Sequence, residues 1–490
     1  MESSVSTKYI CVSDLHLGAE YSVLTHIDPN IKSFFSKQPD TPSDTLTEFA
    51  ASLRSLIESM KVSQDLPKLV LMGDILDLSF SSLPDASRTF TTFIKALFPV
   101  GSARIFADEI ILLPGNHDHH LWKSIKDRWF ENQTEHGIPA HVMEVTSLFD
   151  KPSFSSHLLN NLIRNITDLD NLTVVTAYPN LGEMTDERCL VLHHGHFIES
   201  TYRVMSLIAD WYLKEEKDNS SYSLEQQNGP WIEFLWSSIG VNSAFGQTAL
   251  DLYSILNDPA AAHDLVKRLA TSSLAALSST LPIGSGPISP QLPGMTYEGL
   301  LAGIYDLTLG KATDSERRSY DSVLSKSGVD GLKNYLTTTI LDQLLSKNAQ
   351  QKETTFVFGH THKPFQDRIS LMGYAEPVNV FNTGGWVLDN PDMVVTQGAA
   401  LVFIDQNLQA ASLRLFNNNN GEQAHQVYAA GVGGYPDTKN QMLSRLNQAV
   451  NPDDWTKFCA AFERGVLLRA EIAQRRFFNP ATNPSSNGED

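Results

Sequence analysis

Short apolar runs alternate with polar clusters along this chain of 490 residues, and five of the runs share one design. Residues 9–12 lead into Ser13-Asp14-Leu15-His16, residues 69–72 into Gly73-Asp74, and residues 110–113 into Pro114-Gly115-Asn116-His117-Asp118. Residues 190–192 lead into His193-His194-Gly195-His196, and residues 355–358 into Gly359-His360-Thr361-His362. Short apolar runs closed by Gly, Pro or a polar cluster suit strands buried on both faces. Polar residues gathered at the carboxyl ends of such strands are where open α/β sheets place their sites.

Between the first two runs Leu46, Phe49, Ala50, Leu53, Leu56, Ile57 and Met60 recur at helical spacing, with Thr45 and Glu48 as a capping box. A strand–helix–strand start predicts a sheet that is at least partly parallel. Residues 377–381, 399–404 and 411–416 read as further strands, the last two joined in a hairpin by a polar turn over 405–407. The interval 197–352 has another texture, with helical patterns over 205–213, 249–256, 265–277 and 331–345 and a Pro/Gly/Ser-rich loop over 278–294. It reads as an inserted helical cap. Residues 417–421 read as a polar loop, 439–478 as amphipathic helix and 479–490 as a disordered tail.

Composition narrows the class. The chain holds 37 basic and 56 acidic residues, a formal charge of −19, which argues against general nucleic-acid binding because that requires basic surface. Cys11, Cys189 and Cys459 are too far apart for a zinc knuckle or a disulfide framework, which fits a reducing, cytoplasmic setting. No run approaches the ~20 apolar residues of a membrane span, and the polar start lacks the apolar stretch of a signal peptide.

The chemistry lies in the strand-end clusters. Nine of the 15 histidines (16, 117, 119, 120, 193, 194, 196, 360 and 362) fall in or beside them, so a coincidental set of capped strands is a poor account. Asp14-x-His16, Gly73-Asp74-x-x-Asp77, Gly115-Asn116-His117-Asp118, His194-Gly195-His196 and Gly359-His360-Thr361-His362, in this order, resemble the signature of calcineurin-like metallophosphoesterases. The resemblance covers roughly residues 7–196 and 353–416. It implies an α/β fold, a four-layer αββα sandwich of two mixed β-sheets. The expected division is a catalytic core over 1–196 and 353–424, the helical cap over 197–352, a C-terminal helical extension over 425–478 and the tail.

Carried over to this chain, the resemblance implies that Asp14, His16 and His362 hold one metal ion and Asn116, His194 and His360 a second, with Asp74 bridging both. Carboxylate, amide and imidazole ligands without thiolate suit two divalent ions of the Mn²⁺, Fe²⁺/³⁺ or Zn²⁺ type. The implied reaction is in-line attack of a metal-bridging hydroxide on phosphorus, with His117 as general acid and Asp77 as its orienting carboxylate. His196 is read either as a substrate contact or as a structural neighbour, and Lys363 as a phosphate contact or an exposed lysine. His119, His120 and His193 are read as residues that fill or cap strand ends. Asn382-Thr383-Gly384-Gly385-Trp386 resembles the Asn-rich turn beside the site in this family. Trp211, Tyr212, Trp231, Phe234, Leu235 and Trp236 form either an apolar wall over the pocket or the core of the insertion.

Leu78-Ser79 after Asp77 and Asp118 after His117 depart from the serine/threonine protein phosphatase branch. The absence of a tyrosine near Asp74 departs from the purple acid phosphatases. The expected substrate is therefore a small phosphomonoester, phosphodiester or nucleotide, hydrolysed at an ester bond. A second expectation is a pyrophosphatase similar to the UDP-2,3-diacylglucosamine hydrolases, from which His117 and His196 depart. A third is a metal-bound interaction module without catalysis, which the complete ligand set opposes.

Overall fold

The structure is a computed structural model that describes residues 6–28, 37–62, 64–213, 218–237, 322–387, 396, 398–416, 426–432 and 440–478. The expected helices over 249–256 and 265–277, the loops over 278–294 and 417–421, and the tail over 479–490 lie outside the described residues, as do the side chains of Trp211, Tyr212 and Leu235.

Strands follow the apolar runs closely: β1 (Thr7–Val12), β4 (Lys68–Leu71), β5 (Glu109–Leu112), β9 (Arg188–His193), β10 (Glu353–Phe358), β12 (Val378–Asn382), β13 (Ala400–Asp405) and β14 (Ala410–Arg414). More polar strands join them: β2 (Thr25–Ile27), β3 (Lys37–Pro42), β6 (Phe154–Ser155), β7 (Thr173–Thr176), β8 (Asn180–Met184), β11 (Phe365–Ile369) and β15 (Tyr428–Ala430). One sheet has the order β15-β14-β13-β1-β4-β5-β7-β6, a second β11-β12-β10-β9-β8, and β2 and β3 pair separately. Parallel pairing runs through β1, β4, β5 and β7 in the first sheet and through β9, β10 and β12 in the second. Antiparallel partners flank both, so each sheet is mixed.

Alternation along each strand builds the layers, because successive side chains point to opposite faces. In the first sheet Ile10, Val12, Leu69, Leu71, Ile110, Leu112, Leu401 and Phe403 face outward against helices. Their neighbours Cys11, Val70, Met72, Ile111, Leu113, Val402 and Ile404 face inward and meet Leu190, Leu192, Val357 and Phe381 of the second sheet. That sheet turns Cys189, Val191, Phe356, Phe358, Val378 and Val380 to its own outer side. The result is the expected four-layer αββα sandwich.

On the first outer face lies α1 (Asp44–Ser59), presenting Leu46, Phe49, Leu53 and Leu56. Its N-cap is Ser43, whose hydroxyl accepts from the Leu46 amide; the expected capping box at Thr45 and Glu48 is not used. Thr45 lies one residue inside the helix and gives its hydroxyl to the Ala461 carbonyl. α2 (Leu83–Leu97), α3 (His119–Thr134) and α4 (His157–Arg164) follow in the chain. The amphipathic stretch read as one helix over 439–478 is two, α9 (Gln441–Ala449) and α10 (Thr456–Phe478), because Pro452 begins a new turn capped by Asn451. Phe458 and Phe462 of α10 pack on α1 in the same core. β15 also lies in the part expected to be only helical, as an edge strand too short to show in the pattern.

Between 197 and 352 every element among the described residues is helical: α5 (Val204–Leu213), α6 (Ser221–Ile232), α7 (Lys326–Tyr335), α8 (Leu341–Leu345) and single turns between them. Leu332, Tyr335, Leu336, Ile340 and Leu344 pack on Phe356, Phe358 and Val378. These helices thus supply the fourth layer. No described helix is long and apolar enough to cross a membrane.

Candidate metal centre

Seven side chains named from the sequence converge where the strands of both sheets end. Asp14 and His16 follow β1, Asp74 follows β4, Asn116 follows β5, His194 follows β9, and His360 and His362 follow β10. All seven are buried. The backbone is left-handed at Asp14 (φ 53), His16 (φ 45), Asp74 (φ 52), His360 (φ 71) and His362 (φ 57). Such a conformation is uncommon for non-glycine residues and gathers at functional sites. It departs from the extended backbone of the preceding strands, and in both the Asp14/His16 and His360/His362 loops it recurs two residues apart.

Two glycines allow the loops to close. A Cβ on Gly115 would lie 2.4 Å from Asp74 Oδ1, and one on Gly359 would lie 2.0 Å from Ser13 Oγ and 2.4 Å from Asp14 Oδ2. The Asn-rich turn locks the same corner. Asn382 Nδ2 donates to the Gly359 carbonyl at 2.8 Å, Thr383 Oγ1 meets Ser13 Oγ at 2.6 Å, and the Trp386 amide donates to the Asp14 carbonyl at 3.1 Å.

Ligand-type atoms fall into groups whose members all lie within 4.8 Å of one another: Asp14 with His16 and His362, Asp74 with His194 and His360, and His16 with Asp74 and His117. His16 Nε2 lies 3.3 Å from His362 Nε2, which lies 3.3 Å from Asp14 Oδ1. His194 Nε2 is 3.1 Å from Asn116 Oδ1 and 3.3 Å from Asp74 Oδ2. Asp14 Oδ1 and Asn116 Nδ2 are buried without a hydrogen-bond partner among the described residues. An unsatisfied buried carboxylate oxygen is costly, and facing imidazole nitrogens need a proton or a cation between them. This donor set fits metal ions.

Electrostatics point the same way. Burial alone would raise the pKa of Asp74, but the imidazoles of His194, His117 and His16 outweigh it and hold the carboxyl well below its usual range. Burial would lower His194, yet Asp74 and Asp14 lift it to about 9. The pocket therefore keeps its carboxylates ionised, the form that binds cations.

Around this centre the structure revises several expectations. Asp77, expected to orient His117, has its Oδ1 3.7 Å from His117 Nδ1 and in addition takes His16 Nδ1 on its Oδ2 at 2.9 Å. The closer partner of His117 Nδ1 is Ser79 Oγ at 2.8 Å. Ser79 Oγ also lies against the Trp236 carbonyl, which ties the insertion to the His117 side. Phe80 and Trp236 flank the His117 ring at centroid distances of 5.9 and 6.0 Å.

Asp118 was noticed only as a departure from other branches. Its carboxylate accepts from the amides of Gly115 (2.7 Å), Ile75 (2.8 Å), Asp74 (3.3 Å) and Leu76 (3.4 Å), tying the second and third loops together. An aspartate after Asn-His carries no pattern by which to foresee this. Lys363 is buried, with Nζ 3.2 Å from the Ser322 carbonyl, and so is not the exposed lysine of one reading. His196 is buried in a stack with Tyr178 and lies 3.3 Å from its hydroxyl; burial holds its pKa well below the usual value, so it packs as a neutral ring. His193 donates Nδ1–H to the Pro179 carbonyl at 2.9 Å and stacks on Tyr335.

His119 and His120 do more than fill space. His119 Nε2 is 3.1 Å from Glu225 Oε1, His119 Nδ1 is 3.3 Å from Glu233 Oε2, and His120 Nδ1 is 2.7 Å from Glu233 Oε1. They bind the start of α3 to α6 and the turn after it. Of the aromatic residues of the insertion, Trp236 reaches the site, Trp231 donates Nε1–H to the Thr201 carbonyl at 3.3 Å, and Phe234 is exposed.

A fold with paired mixed sheets and a buried two-group cluster of Asp, Asn and His at their strand ends defines a metallophosphoesterase-type hydrolase. The family model described as calcineurin-like phosphoesterase matches residues 7–256, and the chain belongs to that family. The match stops within the insertion, before His360 and His362. No curated protein matches the chain. Metal-dependent hydrolysis of phosphoester bonds is the chemistry of the family.

Proposed function

We propose that this protein is a metal-dependent phosphoesterase in which Asp14, His16 and His362 hold one cation, Asn116, His194 and His360 hold another, and Asp74 serves both. What carries the reading is the convergence of buried ligand-type atoms in groups whose members lie within 4.8 Å of one another. When bound, two such ions supply Lewis acidity towards phosphoryl oxygens and a nucleophile at neutral pH.

The chain's own residues do the rest. His117 protonates the leaving oxygen through Nε2 while Ser79 fixes its other nitrogen. Asp77 holds His16 in the tautomer that turns Nε2 inward. Phe80 and Trp236 keep water from the His117 side. The substrate we favour is a small phosphomonoester, phosphodiester or nucleotide. Beside a core formed by 1–196 and 353–424 and an extension over 425–478, the segment 197–352 acts as a cap where Trp236 meets Ser79, while its helices α7 and α8 also close the fourth layer of the sandwich. A reducing cytoplasmic setting agrees with three free cysteines.

The test is a panel of mono-, di- and pyrophosphate substrates, including UDP-diacylglucosamine, assayed with Mn²⁺ on wild type and His117→Ala. The variant should lose about 10²–10⁴ in turnover, the range for a positioned general acid, and keep its metal. Since His117 also lies in a ligand-type group with His16 and Asp74, a matching loss of metal would make it a ligand instead. No hydrolysis of any substrate by protein shown to hold both ions would favour the interaction module.

A further inference from the structure

The ligand imidazoles follow a common rule. His16 turns Nδ1 to the Asp77 carboxylate at 2.9 Å and His194 turns Nδ1 to the Met72 carbonyl at 2.9 Å. In each case Nε2 is left facing the other ligands. A histidine that donates N–H on one side presents its lone pair on the other, and such outer acceptors orient metal ligands and raise their basicity.

His360 has a carboxylate beside it too, at ion-pair distance and supplied from outside the family signature. Its Nε2 lies 3.0 Å from Oε1 of Glu199. Glu199 is largely buried, between the single turns His196–Ile198 and Ser200–Arg203 that open the insertion. Its amide donates to the His196 carbonyl at 3.1 Å, and its carbonyl accepts from the Tyr202 amide at 3.2 Å. The Tyr202 ring meets the His360 ring edge-on at 5.0 Å, so one turn holds that imidazole on two sides. Helix α7 pins the turn from above: a Cβ on Gly331 would lie 2.1 Å from the Ile198 carbonyl oxygen, so only glycine lets the helix lie there.

We propose that Glu199 is a positioning residue for the second metal position: its carboxylate, at ion-pair distance from Nε2 of His360, favours hydrogen on that nitrogen and so leaves Nδ1 as the nitrogen that would hold the cation. The inserted segment thereby completes a site whose direct ligands all come from the core. This rests on the binuclear reading above, and the experiment separates the two. Mn²⁺ binding is followed by calorimetry and by electron paramagnetic resonance of the spin-coupled ion pair, in wild type, Glu199→Ala, Glu199→Gln, His360→Ala and the Glu199→Ala/His360→Ala double variant.

Glu199→Ala should weaken the second Mn²⁺ by about 10–100-fold, the range for losing such an outer acceptor, and leave the first unchanged, which also shows that the protein is folded. Glu199→Gln, which still offers an acceptor oxygen, should recover part of the loss. Removing Glu199 from His360→Ala should cost nothing more, because the effect passes through that ring. A wild type that binds fewer than two ions overturns the binuclear reading itself. A wild type with two ions and a Glu199→Ala variant that matches it overturns only the role of Glu199. Additive losses in the double variant overturn action through His360.

Discussion

Glu225 is fully buried, and its carboxylate receives His119 Nε2 at 3.1 Å, the Tyr178 hydroxyl at 2.9 Å and Lys126 Nζ at 3.2 Å. Replacing it with Gln keeps the shape and one acceptor oxygen while removing the charge. Burial alone would lower the pKa of His119, but Glu225 and then Glu233 outweigh it and lift the ring to about 9 from 6.5. At about 1.4 kcal/mol per pKa unit, this lift is worth at most about 3.5 kcal/mol of folding stability. A histidine whose pKa is raised in the folded state contributes that stability in full below pH 6.5 and loses it as pH rises through 9. An unfolding entropy of about 2.1 cal/mol/K per residue gives about 1 kcal/mol per kelvin for 490 residues. Wild type should therefore melt up to about 3 °C further above Glu225→Gln at pH 6 than at pH 10, where only the Lys126 and Tyr178 contacts of Glu225 remain. Thermal melts of both proteins at matched scan rates from pH 6 to 10 measure it. A gap that stays constant with pH, or no gap at pH 6, would refute the account of His119 as a charged, buried partner of Glu225.

Other perturbations bear on the site. Ser79→Ala removes the hydroxyl that holds His117 and should lower kcat by about tenfold, the equivalent of one hydrogen bond, with bound metal unchanged by elemental analysis; a kcat equal to wild type would show that Ser79 does not position the acid. Gly359→Ala would put its Cβ 2.0 Å from Ser13 Oγ and 2.4 Å from Asp14 Oδ2, and should abolish metal retention on dialysis; retention of both ions would show that the loop has slack.

The sequence carried the strand ends clearly, because ligands two residues apart after a fully apolar run leave few other readings. It was clear for the same reason that β1, β4, β5, β9 and β10 are strands. β7, β8 and β11 were not legible, since edge and near-edge strands such as 365–369, with Gln366, Asp367 and Arg368, lack the apolar run of a buried one. The contacts of Ser79, Asp118 and Glu199 were not legible either. Each works by a contact between segments distant in the chain: Ser79 with Trp236, Asp118 with residues 74–76, Glu199 with His360. Local spacing cannot record such pairings. Asp77 was found beside His117, but its second contact, with His16 Nδ1 at 2.9 Å, was not legible, because spacing in the chain does not say that one carboxylate meets two imidazoles.

Neither sheet holds a complete half of the centre. Asp14, His16, Asp74 and Asn116 stand on strands of the first sheet, and His194, His360 and His362 on strands of the second. During synthesis, a chain that has reached only the insertion owns five of these seven groups, lacking His360 and His362. Each of the two proposed cation positions would then lack one imidazole. On the proposed two-ion reading, full loading would wait until β10 has paired with β9, and ions captured earlier would sit in incomplete shells.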